Sequence, residues 1–270
     1  MNFFQSLKSS WRTNNSLVCV GLDPDLNRIP ACVPRGGTAM FNFNKKVIDA
    51  TADLVCAFKP QIAHYSAYGA EDQLIKTISY IHENYPSIPV ILDAKRGDIG
   101  STATKYAQEA FERYEVDAVT VNPYLGFDSV EPFVKYKNKG IIVLCRTSNP
   151  SAPDFQDCAV DGKKLYIRVA EKVINEWNAN GNCLMVVGAT YPNELSEIRE
   201  IARDMPLLVP GAGAQGGDIK QAILNGKSSD KTGLIVSSSR KILYASAGED
   251  FAEAARQETS NLRNEINLYR

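Results

Sequence analysis

Short apolar runs rich in β-branched residues recur along the whole chain, and segments with helical periodicity separate them. Continuous apolar runs of this kind are typical of parallel strands covered on both faces. Eight such runs within 270 residues predict an α/β fold and favour a closed (β/α)8 TIM barrel. An open, doubly wound sheet remains the alternative, because periodicity does not reveal whether a sheet closes. The predicted strands are 16–23, 53–60, 88–95, 116–123, 139–146, 182–189, 206–213 and 232–240.

The segments between the strands carry apolar residues at helical spacing. No linker, sequence repeat or low-complexity tract divides the chain, so we expect residues 1–270 to form a single barrel domain with a short N-terminal helix. Pro192 follows a strand end and is a good residue for the first turn of a helix. The predicted helices include 71–85, 101–114, 163–180, 192–204 and 248–270.

Charge and residue content disfavour several classes of protein. The formal net charge is −1, so neither a nucleic-acid partner nor an anionic membrane is expected. No run approaches the roughly 18 apolar residues of a membrane span, and the N-terminus lacks a signal-peptide pattern. The six cysteines form no C-x-x-C pair and there are two histidines, which argues against a zinc site. We expect a cytoplasmic protein with reduced, mostly buried cysteines.

Polar residues collect at the C-terminal ends of the predicted strands. A charge that ends one buried strand usually marks only the point where that strand reaches solvent. The same placement at most of the eight ends predicts a functional site, because barrels place their active sites on this face. These residues are Asp23, Lys59, Asp93, Lys95, Asn122, Arg146, Gly213 and Arg240.

The segment DAKRGD is the strongest local signal. Asp93 and Lys95 alternate along a predicted strand, so both point towards the mouth of a barrel, while Asp98 lies on the following loop. Lys59 ends the neighbouring strand. Nearby carboxylates favour a protonated lysine, which suits an acid or a fixed positive charge better than a Schiff-base nucleophile. From this pattern alone, a solvated salt-bridge network is as good an interpretation as a catalytic site.

The glycine-rich segment PGAGAQGGD at 210–218 indicates an anion site. Glycines let the backbone approach an anion closely, and in barrels the loops after strands seven and eight bind phosphate. Gln215 and Arg240 would complete such a site, whereas a flexible surface turn explains the glycines alone. The segment also matches G-x-G-x-x-G, but the next strand ends in serines and Arg240 instead of the acidic residue of a dinucleotide fold.

With these segments in view, the chain resembles the orotidine 5′-phosphate decarboxylase family, in its longer-chain branch found in many bacteria and some parasites. The resemblance spans nearly the whole chain in strand order, and DAKRGDIGSTA is its most specific segment. The segments that carry it are GLDPD, AFKPQIAHY, LDAKRGDIGSTA, VNPYLG, RTSNPSA, PGAGAQGGD and VSSSR.

The resemblance implies specific roles for residues of this chain. The family's lysine–aspartate tetrad corresponds to Lys59, Asp93, Lys95 and Asp98. It also implies an obligate homodimer, in which the last aspartate of the tetrad and the threonine on the next loop come from the partner subunit. The implied substrate-binding residues are Asp23 for the ribose, Thr102 on that loop, Ser148 for the pyrimidine, and Gln215 and Arg240 for the phosphate.

The implied reaction converts orotidine 5′-monophosphate to UMP and CO2 without a cofactor or a metal. A metal-dependent decarboxylase or aldolase for sugar phosphates is the nearest rival. Such enzymes share D-x-K-x-x-D but generally carry a metal-binding glutamate where Lys59 stands, and a lysine there repels Mg²⁺. A non-catalytic phosphate sensor accounts for the glycine-rich loop but not for the alternating charges, and a nicotinamide oxidoreductase is the weakest alternative.

Overall fold

Eight parallel strands form a single sheet in the computed structural model, which describes residues 1–211 and 218–270. The order of the strands around the sheet is β2-β1-β8-β7-β6-β5-β4-β3 in the numbering used here, so each strand lies beside its neighbour in sequence. The strands are β1 (Val18–Leu22), β2 (Ala57–Pro60), β3 (Ile91–Arg96), β4 (Ala118–Val121), β5 (Gly140–Arg146), β6 (Cys183–Val187), β7 (Leu207–Pro210) and β8 (Leu234–Ser238).

The sheet closes between β2 and β3. Phe58 pairs with Val90, and Gln61 pairs with Asp93, each in a parallel bridge. The backbone N–H of Phe58 also donates to the carbonyl of Pro89 at 3.1 Å. The predicted (β/α)8 barrel is therefore confirmed, with all eight strands in the predicted order, and the open sheet is wrong.

Helices connect the strands and cover the barrel. Short helical turns supplement them at Ala52–Leu54, Glu109–Arg113 and Val173–Trp177, the last two with π geometry. The α-helices are α1 (Phe3–Thr13), α2 (Ala39–Thr51), α3 (Ile62–Ser66), α4 (Glu71–Asn84), α5 (Gly100–Gln108), α6 (Phe127–Val134), α7 (Pro153–Gln156), α8 (Leu165–Lys172), α9 (Pro192–Ala202), α10 (Ile219–Gly226), α11 (Arg240–Leu243) and α12 (Phe251–Tyr269).

Helix α1 packs at the amino-terminal end of the strands. Asn2 and Gln5 form a capping box that starts the helix. The ring of Phe3 lies against Gly140, the first residue of β5, where a Cβ atom would come within 2.5 Å of the ring. Leu7 and Trp11 are buried on the same face of the helix. This end of the barrel is therefore covered, and the opposite end is left for the site.

One predicted helix begins later than its pattern indicates. Residues 163–180 carry helical periodicity, but Lys163–Lys164 pairs instead with Ala159–Val160 in a short antiparallel hairpin. Asp161 and Gly162 at its turn both have positive φ, as a type I′ turn requires, and Asp-Gly is a favoured sequence for that turn. The helix starts at Leu165 because Lys163 and Lys164 form the second strand of the hairpin.

Buried apolar side chains fill the barrel and the layer beneath the helices. Every residue of β1, β4, β6 and β8 is buried, as expected of strands covered on both faces. The four cysteines within predicted strands, Cys19, Cys56, Cys145 and Cys183, are buried and free. No helix within the described ranges is both long and apolar enough to cross a membrane.

Candidate active site

Lys59 and Asp93 meet where the barrel closes. Lys59 lies near the carboxyl end of β2, and Asp93 lies on β3 beside Gln61, its partner in the closing bridge. Lys59 Nζ donates to Asp93 Oδ2 at 2.9 Å, and 7% of the lysine side chain is exposed. An ammonium buried this deeply needs a carboxylate partner, and Asp93 provides it.

Lys95 approaches the same carboxylate from the other side. Its Nζ donates to Asp93 Oδ1 at 2.6 Å, while 46% of its side chain remains exposed to the mouth of the barrel. The backbone of Lys95 is left-handed, with φ at 49°, which is uncommon for a residue with a Cβ. Asp93 therefore lies between two ammonium groups, one buried and one open to solvent. We name Lys59, Asp93 and Lys95 the charged array.

Thr120 on β4 anchors this array from below. Its hydroxyl donates to Asp93 Oδ1 at 3.0 Å and accepts the backbone N–H groups of Ala94 and Lys95, both at 2.9 Å. Thr120 is almost fully buried, at 1% exposure. Sequence reasoning missed it. The available signal was a polar residue inside the otherwise apolar strand Ala118–Val121.

The charged array keeps its groups ionised. Burial raises the pKa of Asp93, but the positive charges and hydrogen bonds of Lys59 and Lys95 outweigh it and hold the pKa well below its usual range. Burial likewise lowers the pKa of Lys59, and the charges of Asp93, Asp23 and Cys19 more than reverse this, so its pKa lies above the ordinary value. A buried carboxylate and a buried ammonium thus stabilise each other.

Asp23 follows β1 and faces the array from the neighbouring strand. Its Oδ1 atom is buried and accepts no hydrogen bond from any residue the structure describes. The surrounding loop is fixed by Tyr244, whose hydroxyl donates to the carbonyl of Asp23 at 3.3 Å and accepts the N–H of Asp25 at 2.7 Å. A buried carboxylate oxygen without a donor is costly, so this atom is suited to a hydroxyl of a bound ligand.

A cavity of about 410 Å³ opens at the carboxyl ends of β1, β2, β7 and β8. Arg240, at the start of α11, is exposed on its rim and has no carboxylate within salt-bridge distance among residues 1–211 and 218–270. His64 Nδ1 lies 3.2 Å from the carbonyl of Pro24, which fixes the ring in the wall. The lining residues are Asp23, Lys59, Gln61, His64, Pro210, Gly211, Ser237, Ser238, Ser239 and Arg240.

Cationic and hydroxyl groups gather on the β8 side of this cavity. Ser237, Ser238 and Ser239 line this side together with Arg240, and charge-assisted hydrogen bonds to an anion use such donors. The predicted anion-binding residues Gly213 and Gln215 lie outside the described residues. A larger hollow of about 520 Å³ lies along α5 and its following turn, and no predicted site residue lines it.

Asp98 and Thr102 lie apart from the charged array. Asp98 Oδ1 accepts the N–H of Ile99 at 2.8 Å, and within the described part of the chain no lysine or arginine nitrogen is within 4.0 Å of its carboxylate. Thr102 is exposed on α5. Lys95 and Asp98 are therefore not paired within one chain, and the resemblance expects this aspartate to enter the tetrad from the partner subunit.

Exposed apolar side chains lie on the loop that carries Asp98 and on the loop that follows β4. Ile99 is 55% exposed, Tyr124 79% and Leu125 49%. The loops that carry them are neighbours, because the N–H of Asn122 donates to the carbonyl of Arg96 at 2.7 Å. Large apolar side chains grouped in this way mark an interaction surface.

Ser148 lies on the loop after β5, across the barrel from Asp23. A Cβ atom on Gly188 would come within 2.8 Å of the Cα atom of Ser148, so the loop rests directly on the end of β6. Arg146 at the end of β5 is fully buried, with its guanidinium 3.8 Å from the ring centre of Tyr191. Gln156 Oε1 accepts the backbone N–H of Thr147 at 2.9 Å. These contacts hold the Ser148 loop at the mouth of the barrel.

Side chains that could hold a metal ion are not clustered in the described ranges: no group of three His, Cys, Asp or Glu residues has the required arrangement there. At the charged array itself, both oxygens of Asp93 already accept lysine ammonium groups. The donor set is thus one that binds an anion or a hydroxyl in preference to a divalent cation.

Comparison with known proteins gives one consistent family. The model of the orotidine 5′-phosphate decarboxylase / HUMPS family matches residues 16–257. An orotidine 5′-phosphate decarboxylase of Cellvibrio japonicus is 58% identical over 272 aligned positions that cover all of both chains. Among solved structures, Leishmania donovani OMP decarboxylase is similar at a TM-score of 0.84 and 36% identity, covering 98% of this chain and 99% of that one.

A longer solved protein contains the same barrel. Leishmania donovani UMP synthase matches all of this chain at a TM-score of 0.89 and 38% identity. The chain spans 56% of that protein's length.

Proposed function

The chain belongs to the orotidine 5′-phosphate decarboxylase / HUMPS family, and we propose that it converts orotidine 5′-monophosphate to UMP and CO2. The observation that carries this proposal is the charged array, in which Lys59 and Lys95 both contact Asp93 at the mouth of the barrel. This reaction is the last step of de novo pyrimidine nucleotide synthesis. The free state of all six cysteines supports the further proposal of a cytoplasmic enzyme, since thiols stay reduced there.

Lys95 is the proposed acid. Loss of CO2 from C6 of the orotate ring leaves a vinyl carbanion whose electron pair has no easy delocalisation. A fixed ammonium beside C6 stabilises that charge and then supplies the proton that forms UMP. Lys95 suits this role because its Nζ is held by Asp93 while nearly half of its side chain faces the open mouth.

Asp93, Lys59 and Asp98 are proposed to set the electrostatics around Lys95. Asp93 faces the departing carboxylate and orients Lys95, while Lys59 neutralises Asp93 and reaches towards the ribose. Repulsion between Asp93 and the substrate carboxylate contributes to the loss of CO2 in this scheme. The low pKa of Asp93 and the raised pKa of Lys59 support ionised groups at neutral pH.

The remaining residues are proposed to bind parts of the substrate away from C6. Asp23 accepts a ribose hydroxyl at its unpaired Oδ1 atom, and Ser148 contacts the pyrimidine from across the barrel. Arg240 and Gln215 bind the phosphate, supported by the serines beside Arg240. Binding energy from the phosphate is then used to close the site over the substrate.

A homodimer with shared sites is part of the proposal. Asp98 and Thr102 would enter the site of the partner subunit, where Asp98 would meet the partner's copy of Lys95. The exposed patch of Ile99, Tyr124 and Leu125 beside Asp98 supports an interface at this rim. A two-fold axis would then build two equal sites.

An activity assay without a metal or an organic cofactor distinguishes this assignment most directly from its rivals. Purified protein is mixed with orotidine 5′-monophosphate in EDTA, and the fall in substrate absorbance is followed. Full turnover supports the proposal. Loss of activity in EDTA that Mg²⁺ restores would favour a metal-dependent sugar-phosphate lyase, and no reaction with this nucleotide under either condition would overturn the assignment.

A further inference from the structure

We propose that Thr120 is a positioning residue for the decarboxylation, because its hydroxyl binds the backbone N–H of Lys95 and the carboxylate of Asp93. The inference rests on the proposed function. It goes beyond the tetrad, because Thr120 belongs to β4 and contacts Asp93 and Lys95 from beneath.

The pairing of β3 with β4 is interrupted where the charged array begins. Leu92 pairs with Val119, and the next regular pair is Arg96 with Val121. Asp93, Ala94 and Lys95 therefore lie opposite a single residue, Thr120. A bulge of this kind leaves backbone N–H groups without ladder partners and changes the direction of side chains.

The hydroxyl of Thr120 accepts hydrogen bonds from backbone N–H groups that have no partner in the interrupted ladder. The N–H groups of Ala94 and Lys95 both donate to Oγ1 at 2.9 Å. A hydroxyl offers two acceptor positions and one proton, so its proton remains for Asp93 Oδ1, 3.0 Å away. All the hydrogen-bonding capacity of this hydroxyl is used, and Asp93 Oδ1 accepts both from it and from Lys95 Nζ, the latter at 2.6 Å.

Loss of the hydroxyl should act first on Lys95. Its backbone is left-handed at φ 49°, a conformation that persists only when neighbouring contacts enforce it. The described contacts that enforce it are the hydrogen bond to Thr120 at the backbone and the ion pair with Asp93 at the side chain. Without the hydroxyl, Nζ moves from its position, and displacements near 1 Å at a reacting group cost about 10²-fold in rate.

Valine is the informative replacement. Thr120→Val keeps the shape of the side chain and removes the hydroxyl, and Thr120→Ser keeps the hydroxyl. Thr120 is 1% exposed and does not line the cavity described above, so substrate binding should change little. We expect kcat to fall about 10- to 100-fold in Thr120→Val with KM within about 3-fold, and Thr120→Ser to stay within about 3-fold of the parent.

Thr259→Val is the matched control. Thr259 is fully buried, and its hydroxyl donates to the carbonyl of Ala255 at 2.7 Å within α12. Thr259→Val and Thr120→Val should each lower the melting temperature by a few degrees, but in Thr259→Val kcat per folded active site should stay at the parent value. Rates are divided by the concentration of active sites, so loss of folded protein does not imitate a loss of kcat.

Amide hydrogen exchange of the segment 93–97 tests the hydroxyl without reference to activity. Exchange at Ala94 and Lys95 should be faster in Thr120→Val than in the parent and in Thr120→Ser. If Thr120→Val does not fold, Thr120→Ala removes the same hydroxyl without adding bulk and takes its place. Unchanged exchange would show that Thr120 does not hold the bulge.

The kinetic outcome decides the role. A kcat within 2-fold of the parent in Thr120→Val, or an equal loss in Thr120→Ser, would overturn the inference, as would a rise in KM with kcat preserved. These failures differ from failure of the proposed function, in which the parent protein itself does not decarboxylate orotidine 5′-monophosphate.

Discussion

The two halves of the DAKRGD segment are in opposite physical states. Asp93 and Lys95 belong to the charged array, where every oxygen of the carboxylate accepts a lysine ammonium. Three residues later, Asp98 is partly exposed, and within the described ranges no cationic side chain pairs with it. Arg240, on the far rim of the cavity, is likewise exposed without a carboxylate partner there.

The difference distinguishes charged groups that are paired within one chain from charged groups that have no partner among its described residues. Groups proposed to act at the reacting carbon are preorganised by their own chain, and preorganised charge needs no reorganisation when the reaction occurs. Groups at the rim have no partner among the described residues, and they are available to the substrate phosphate or to a second copy of the chain. Changes in the two regions should therefore have different consequences.

The largest effect is expected from Lys95→Ala, which removes the open end of the charged array. Turnover should fall by about 10⁴-fold or more, because the same ammonium stabilises the carbanion and supplies the proton. Absorbance assays of orotidine 5′-monophosphate measure the rate, and circular dichroism checks that the barrel persists. Turnover close to that of the parent would refute the proposed mechanism.

Arg240→Ala tests the proposed binding of the substrate phosphate at the rim of the cavity. Loss of a charge-assisted hydrogen bond to phosphate should raise KM by about 10- to 100-fold, while kcat at saturation falls much less than in Lys95→Ala. Added phosphite, assayed with a substrate that lacks the phosphate, should restore part of the rate in the parent and less of it in the variant. A variant with an unchanged KM would show that the phosphate lies elsewhere.

A smaller effect, on stability, is expected from Asp93→Asn. This change leaves Lys59 buried without a carboxylate and should cost about 3 kcal/mol of unfolding free energy at pH 7. The folded pKa of Asp93 lies below its unfolded value of about 3.9. The ionised carboxylate therefore adds stability above pH ~4, and this contribution is lost as the pH falls towards the folded pKa.

Urea unfolding at a fixed protein concentration measures this difference. The difference in unfolding free energy between the parent and Asp93→Asn should become smaller from pH 7 to pH 3. Only the parent takes up a proton at this position when it unfolds, so only the parent loses stability there as the pH falls. A gap that stays constant or widens with acid would contradict the low pKa of Asp93.

The barrel could be predicted from the sequence because its strands are continuous apolar runs. A strand such as 182–189 is buried on both faces, so its pattern does not depend on the register with its neighbours. Closure of the sheet is favoured by the number of strands, but the strand pattern itself does not show it. It depends on the bridges of Phe58 with Val90 and of Gln61 with Asp93, which join residues far apart in sequence.

The sequence predicts which residues belong to the candidate site better than it predicts how they are arranged in space. Alternation along β3 predicts that Asp93 and Lys95 share a face, and they meet as an ion pair. The bulge between Leu92 and Arg96 and the anchor at Thr120 are not visible in one strand alone, because they arise from the register of two strands.

In the proposed shared sites, the charged array of one chain and Asp98 of the other would act together. Lys95→Ala and Asp98→Ala should each be inactive as pure dimers. The mixed dimer has one site with both lesions and one site with neither, because the Asp98→Ala chain keeps its own Lys95 and borrows an intact Asp98. Random pairing makes about half of the dimers mixed, so roughly a quarter of all sites should be intact, given two-fold symmetry.

The measurement is the turnover of orotidine 5′-monophosphate after the two variants are unfolded together and refolded as an equal mixture. We expect about a quarter of the activity of the parent refolded in the same way, against almost none when each variant is refolded alone. If Asp98 acts within its own chain, every site carries at least one lesion and mixing recovers nothing. That result would contradict the division of the site between two chains.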